Sequence, residues 1–136
     1  MEHKQNDTSV LFLKKKEGRV YPCGSMTAIF KADENETANN YSISEWWLEP
    51  YSTGPGAHQH EANDEVFFGI SGVTSVLVGE TWIDVEPGDF LRIPAKTQHD
   101  FANNTSEKSA VLNFFIPGGF ERNMPAIVKW FESNQP

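Results

Sequence analysis

At 136 residues, with 38% apolar and 22% charged side chains, the chain is the size of one domain, residues 1–136, with one core. Nineteen acidic against eleven basic residues give a formal charge of −8, which repels phosphate backbones and anionic membrane surfaces and so argues against nucleic-acid and membrane partners. The 4 Trp, 3 Tyr and 10 Phe exclude a disordered chain, and no run approaches the roughly twenty apolar residues of a membrane helix.

Short stretches of strand-forming residues, broken by turn signals about every ten positions, predict an all-β chain. The N-terminal stretch is polar and lacks an apolar core of its own, and the lone Cys23 has no internal disulfide partner, so the expected compartment is the cytoplasm. Cys23 reads as a small buried apolar residue rather than a reactive thiol. The first strands are expected over residues 9–13, 27–31 and 41–48. The wholly polar stretch 33–40 reads as an exposed loop of solvated carboxylates without chemistry. Further strands are expected over 58–60, 65–71, 74–78, 81–85, 90–93, 99–103 and 110–116, with Gly79-Glu80 closing a hairpin within 73–85. One helix follows, with Asn123 as its cap, Pro125 near its first turn, and Ile127, Trp130 and Phe131 on one face.

The chemistry-bearing stretch runs from Gly54 to Glu65. Residues two apart on a strand share a face, so His58 and His60 direct two imidazoles to one side. After Ala62-Asn63-Asp64, Glu65 opens the next strand and can bring a carboxylate beside them. A third imidazole, His99, comes much later and requires a closed or rolled sheet to return to the pair. Each histidine taken singly is more often a surface or satisfied core residue. Three of the four histidines in two turn-flanked segments, with a carboxylate following, reverse that balance. His3 has no assigned role. Imidazole and carboxylate donors suit a divalent transition metal such as iron, manganese, nickel, copper, cobalt or zinc, and do not choose among them. Four protein ligands leave one or two coordination positions open, as catalysis requires.

These residues resemble the cupins, and within them the small single-domain proteins of the quercetin 2,3-dioxygenase-like type. The first cupin motif, G-x5-H-x-H-x3,4-E-x6-G, is matched by His58, His60, Glu65 and Gly72, with Ser52 in place of its leading glycine. The second, G-x5-P-x-G-x2-H-x3-N, is matched by Gly88, Pro94, His99 and Asn103, with Lys96 in place of its middle glycine. The likeness spans roughly residues 41–121, including Ser44-Glu45-Trp46-Trp47-Leu48-Glu49-Pro50 and Pro117-Gly118-Gly119-Phe120-Glu121. It implies a double-sheet jelly-roll barrel, with the C-terminal helix packed on its outside. It also implies a homodimer, in which residues 9–13 add as a strand to a partner's sheet.

Cupins span many activities, so function must be argued from the pocket. Alternation places Phe67 on the face of Glu65 and Phe101 on the face of His99, and one of Trp46 and Trp47 inward. A metal in an aromatic cup suits a small, flat, partly apolar substrate. The leading expectation is a dioxygenase using O2 on a flavonol-like, phenolic or enediol compound. Glu65 would then be both metal ligand and catalytic base. The alternatives are a metal-dependent isomerase, lyase or decarboxylase, for which Tyr51, Glu49 and Arg92 are the candidate polar groups, and a non-enzymatic small-ligand binder. Asn103 is expected to satisfy turn backbone groups rather than a metal.

Overall fold

Strict alternation of buried and half-buried residues along Ser42–Leu48 marks a strand with one face to the core: Ser44, Trp46 and Leu48 are buried, while Ile43, Glu45 and Trp47 face outward. The computed structural model describes residues 9–134, so His3 lies outside the described residues. Among the described residues nine strands run in chain order as β1 (Arg19–Cys23), β2 (Met26–Ala32), β3 (Ser42–Leu48), β4 (Asp64–Ser71), β5 (Thr74–Val78), β6 (Thr81–Val85), β7 (Phe90–Ile93), β8 (His99–Ala102) and β9 (Ser109–Ile116). A short helix α1 (Glu34–Thr37) precedes β3, and a 3-10 turn (Phe120–Asn123) leads into α2 (Met124–Ser133). Among the described residues, no helix is long and apolar enough to cross a membrane.

All pairings are antiparallel, in a six-stranded sheet ordered β1-β2-β3-β9-β4-β7 and a three-stranded sheet ordered β6-β5-β8. The two sheets face each other as a jelly roll. Phe101 of the small sheet meets Trp46 and Phe67 of the large one, each at a ring separation of 5.6 Å. Phe30, Leu48, Val76, Ile93 and Val111 fill the space between. Cys23 is fully buried, and burial pushes its thiol up to about 11, as befits a core residue rather than a nucleophile.

Several expectations are corrected. Residues 9–13 form no strand; Leu11 and Leu13 instead rest near Lys31 and Ile43 on the outside of the large sheet. Residues 58–60 form one bridge, His58 to His99, and not a strand. β1 has no counterpart among the predicted strands, because Gly18, Arg19 and Pro22 interrupt its apolar pattern. Within the stretch 33–40, Asp33 is buried, accepting the N–H groups of Gly119 at 2.6 Å and Glu121 at 2.7 Å. Helix α2 also departs from an outer-wall position: Met124 is buried in the core, and Ile127 and Phe131 line the interior cavity.

Candidate metal centre

Two glycines shape the loop that carries the first histidines. A Cβ at Gly54 would stand 1.9 Å from the Phe101 carbonyl oxygen, so only glycine lets the loop lie this close to β8. Beyond it His58 and His99 exchange backbone hydrogen bonds, His58 N–H to His99 O at 2.9 Å and His99 N–H to His58 O at 2.7 Å. The distant third histidine is thereby locked beside the first. Gln59 points to solvent, and the His60 carbonyl accepts from Lys96 N–H at 2.7 Å. Lys96 has φ of 69°, so the left-handed conformation favoured by the motif's glycine is kept by a lysine. Ser52, at the other departure, is buried with its hydroxyl 2.5 Å from that of Ser25.

The ring centroids of His58, His60 and His99 are 4.5 to 5.3 Å apart, and the donor atoms of the three imidazoles and Glu65 all lie within 4.8 Å of one another. Nδ1 of His58 is 2.7 Å from the Gly56 carbonyl oxygen, and Nδ1 of His99 is 2.9 Å from that of Thr97. A carbonyl only accepts, so each Nδ1 carries the proton and each Nε2 keeps a lone pair for a metal. Glu65 Oε2 accepts from Asn113 Nδ2 at 2.8 Å. Its Oε1 lies 2.7 Å from His99 Nε2 and 3.3 Å from His60 Nε2, close approaches that lack hydrogen-bond alignment.

Buried acceptors facing one another without alignment are costly unless a cation lies among them. Three imidazole nitrogens and one carboxylate oxygen are the donor set a divalent transition metal takes, so the residues fit such an ion. The electrostatics agree. Burial pushes the Glu65 carboxyl up, but His60 and His99 outweigh it and hold the group at about 2. Burial lowers His58, while for His99 the Glu65 carboxylate outweighs burial and raises it.

His58, His60 and Glu65 of the cluster line a cavity of about 350 Å³. Trp46 and Phe101 line it as the alternation implies, whereas Phe67 does not: it lies behind Phe101, fully buried between the sheets. Parity along a strand assigns a face, not a depth. Phe115 and Phe120 stack at 4.1 Å, with His60 set edge-on to both rings. Trp47 faces outward, its indole N–H bonded to Glu45 and Lys16 above its ring. None of Tyr51, Glu49 and Arg92 lines the cavity; Tyr51 is 69% exposed, Glu49 pairs with Lys108, and Arg92 pairs with Asp64. Asn103 is buried and donates to the carbonyls of Leu48, Glu49 and Glu107, the backbone role read from its turn.

Sequence reasoning missed Asn113, Phe115, Phe120, Ile127 and Phe131 as cavity residues. Asn113 carried a signal, being a lone amide on the inward face of the otherwise apolar Val111-Leu112-Asn113-Phe114-Phe115. Phe120 and the helix residues carried none, because their placement depends on how the chain returns after β9.

Comparison with known proteins agrees with this fold. Quercetin 2,3-dioxygenase of Bacillus subtilis (strain 168) is 33% identical over 64 residues, which cover 47% of this chain and 19% of that protein's length. The fold is similar to that of KdgF from Halomonas sp., with a TM-score of 0.70 at 19% identity over 85% of this chain and 99% of that one. It is also similar to an RmlC-like cupin from Shewanella frigidimarina NCIMB 400, with a TM-score of 0.69 at 15% identity over 87% and 98% of the two chains. The Cupin domain family matches residues 45–116, more than half of the sequence, and the chain belongs to the cupin family.

Proposed function

We propose that this cupin is a metal-dependent dioxygenase acting on a small, flat, uncharged phenolic or enediol substrate of the flavonol kind. One observation carries the reading: among the described residues, Glu65 is the sole carboxylate lining the cavity, and no lysine or arginine reaches it. Apart from the metal cluster, the only polar side chains in the lining are Asn113 and Asn123. Such a wall disfavours phosphorylated and charged substrates, and it supplies no second carboxylate for an isomerase or lyase. At about 350 Å³ the space sits at the small end of ligand pockets, which run from roughly 300 to 1,000 Å³. The partial likeness to a quercetin 2,3-dioxygenase supports the substrate class.

His58, His60 and His99 would hold the ion, with Glu65 as the fourth ligand. Bound there, a divalent metal supplies a Lewis-acidic position for an ionised substrate oxygen. Glu65 Oε1 takes the proton of the substrate hydroxyl, while Asn113 keeps Oε2 in place. Trp46 and Phe101 flank a planar ring, and Phe115, Phe120 and Phe131 keep water from the reacting atoms. Both atoms of O2 end in the cleaved product, so no external reductant is consumed.

The test is oxygen uptake by protein reconstituted in turn with manganese, iron, cobalt, nickel, copper and zinc, offered flavonols, catechols and enediols. Uptake matching substrate loss one to one, with both atoms of labelled O2 in product, is expected. Turnover that is indifferent to oxygen, or none with any metal, overturns the assignment.

A further inference from the structure

The sequence marks Asn123 as the cap of α2, and the residue stands at that position, but its side chain makes no capping hydrogen bond. Two features of the chain account for this. The 3-10 turn runs directly into the helix, so Asn123 has φ of −85° and ψ of −13°, a helical conformation. A capping residue ordinarily holds an extended one, which brings its side-chain oxygen back over the first turn. That oxygen then accepts from the second or third helical residue, and the second here is Pro125, which has no N–H. Released from capping, the Asn123 side chain is part of the cavity lining.

Helical geometry says what it stands beside. Residues three apart in a 3-10 turn eclipse, so Asn123 shares a face with Phe120, roughly 6 Å along the axis at about 2 Å of rise per residue. The Phe120 ring lies 5.6 Å from the His60 ring and 4.1 Å from that of Phe115. Residues four apart in α2 share a face, which puts Asn123, Ile127 and Phe131 in one row, and all three line the cavity. The row has one polar member, at the end that follows Phe120. Asn113, the other amide of the lining, is already committed, its Nδ2 donating to Glu65 at 2.8 Å. The Asn123 amide has no hydrogen bond with another of the described residues.

We infer that Asn123 is a specificity-determining residue, whose amide hydrogen-bonds an uncharged hydroxyl of the substrate remote from the oxygens presented to His58, His60 and Glu65. Ile127 and Phe131 then cover the apolar ring that carries this hydroxyl. The inference rests on the flavonol-like reading above and narrows it to compounds with a hydroxyl on a second ring or ring edge. The chemistry of the amide selects that group. It offers N–H donors and an acceptor oxygen without net charge, so it can both give to and accept from a hydroxyl. A substrate that is wholly apolar at this end shields the amide from water and returns no hydrogen bond, which costs affinity. A charged group there meets no counter-charge, since no lysine or arginine lines the cavity and Glu65 is its sole carboxylate.

Anaerobic titration of the zinc-loaded full chain, followed by quenching of its tryptophan fluorescence, reads binding without turnover and so stands apart from whether oxygen is used. Three flavonols are compared: a parent bearing only the hydroxyl and ketone that bind a metal, one with a further hydroxyl on the pendant ring, and one with it on the fused ring. The wild type is expected to bind one of the two hydroxylated compounds roughly 5- to 10-fold more tightly than the parent, the value of one neutral hydrogen bond. That preference is expected to disappear in Asn123→Leu, and equally in Asn123→Ala, which keeps the test valid should the larger side chain disturb the turn. Unchanged far-ultraviolet circular dichroism confirms that the variants fold. A wild type that binds all three alike overturns the role of Asn123 and leaves the flavonol-like reading standing, as does a preference that both variants retain. Failure of all three to bind removes the two together.

Discussion

Asn113 illustrates how one buried amide can set the state of a candidate metal ligand. It donates to Glu65 Oε2 at 2.8 Å from the neighbouring strand β9, with Oε1 left facing the imidazoles. Replacing it with leucine strands Oε2 in an apolar site, and replacing it with aspartate sets a second carboxylate against the first. Either change is expected to weaken metal binding about 10- to 100-fold, measured by competition with a coloured chelator. Asn113→Asp is the more severe of the two if a second negative charge displaces Glu65 from the cluster. Phe67 makes the contrasting case. Because it packs between the sheets behind Phe101, Phe67→Ala is expected to cost about 3–5 kcal/mol in urea unfolding, as large core truncations do, and to leave metal affinity near wild type. Loss of metal binding without loss of stability would place Phe67 in the site instead.

At the scale of elements, local pattern predicted the parts whose partners are also local. The β5–β6 hairpin and β7 fall where alternation and turn residues put them, because a two-residue turn and a short polar connection leave little choice of register. Residues 9–13 have the same apolar character without a pairing strand, and pairing is a property of the whole sheet. The convergence of His58, His60, Glu65 and His99 was legible from motif spacing, but not that His99 is held by backbone bonds to His58, nor that α2 and the turn before it line the cavity. An amphipathic helix announces a buried face but not what it covers. What anchors the turn that leads into α2 is Asp33, eighty-odd residues earlier, which holds Gly119 and Glu121 by their N–H groups. Asp33→Ala leaves both donors without that acceptor and is expected to destabilise the chain by about 2–3 kcal/mol. Hydrogen exchange should show the loss as faster exchange concentrated in residues 119–131, whereas protection lost evenly across the sheets would contradict this role for Asp33.

For the molecule as a whole, the candidate metal cluster is also a folding element, because it ties the loop before β4, the start of β4 and the start of β8 together at one point. In the metal-free chain a protonated His99 beside the Glu65 carboxylate, 2.7 Å away, takes part of that task. Glu65 is lowered from 4.5 to about 2, so its contribution is complete above pH 4.5 and is lost as pH falls toward 2. His99 is raised from 6.5, so its contribution is complete below pH 6.5 and is lost as pH rises through the higher folded value. Together they place the cluster's best metal-free contribution between pH 4.5 and 6.5. A divalent ion competes with that proton and binds the neutral imidazoles, so its stabilisation grows as pH rises. Free metal at one hundred times its dissociation constant adds about 2.7 kcal/mol, which for a domain of this size is a rise in Tm on the order of 10 °C. Thermal melts with and without zinc or manganese should therefore show a large rise at pH 7.5 and a small one at pH 5. His58→Ala and His99→Ala should each abolish most of the rise at pH 7.5. An equal metal effect at both pH values, or one that survives loss of either imidazole, would mean the ion binds somewhere other than among these four side chains.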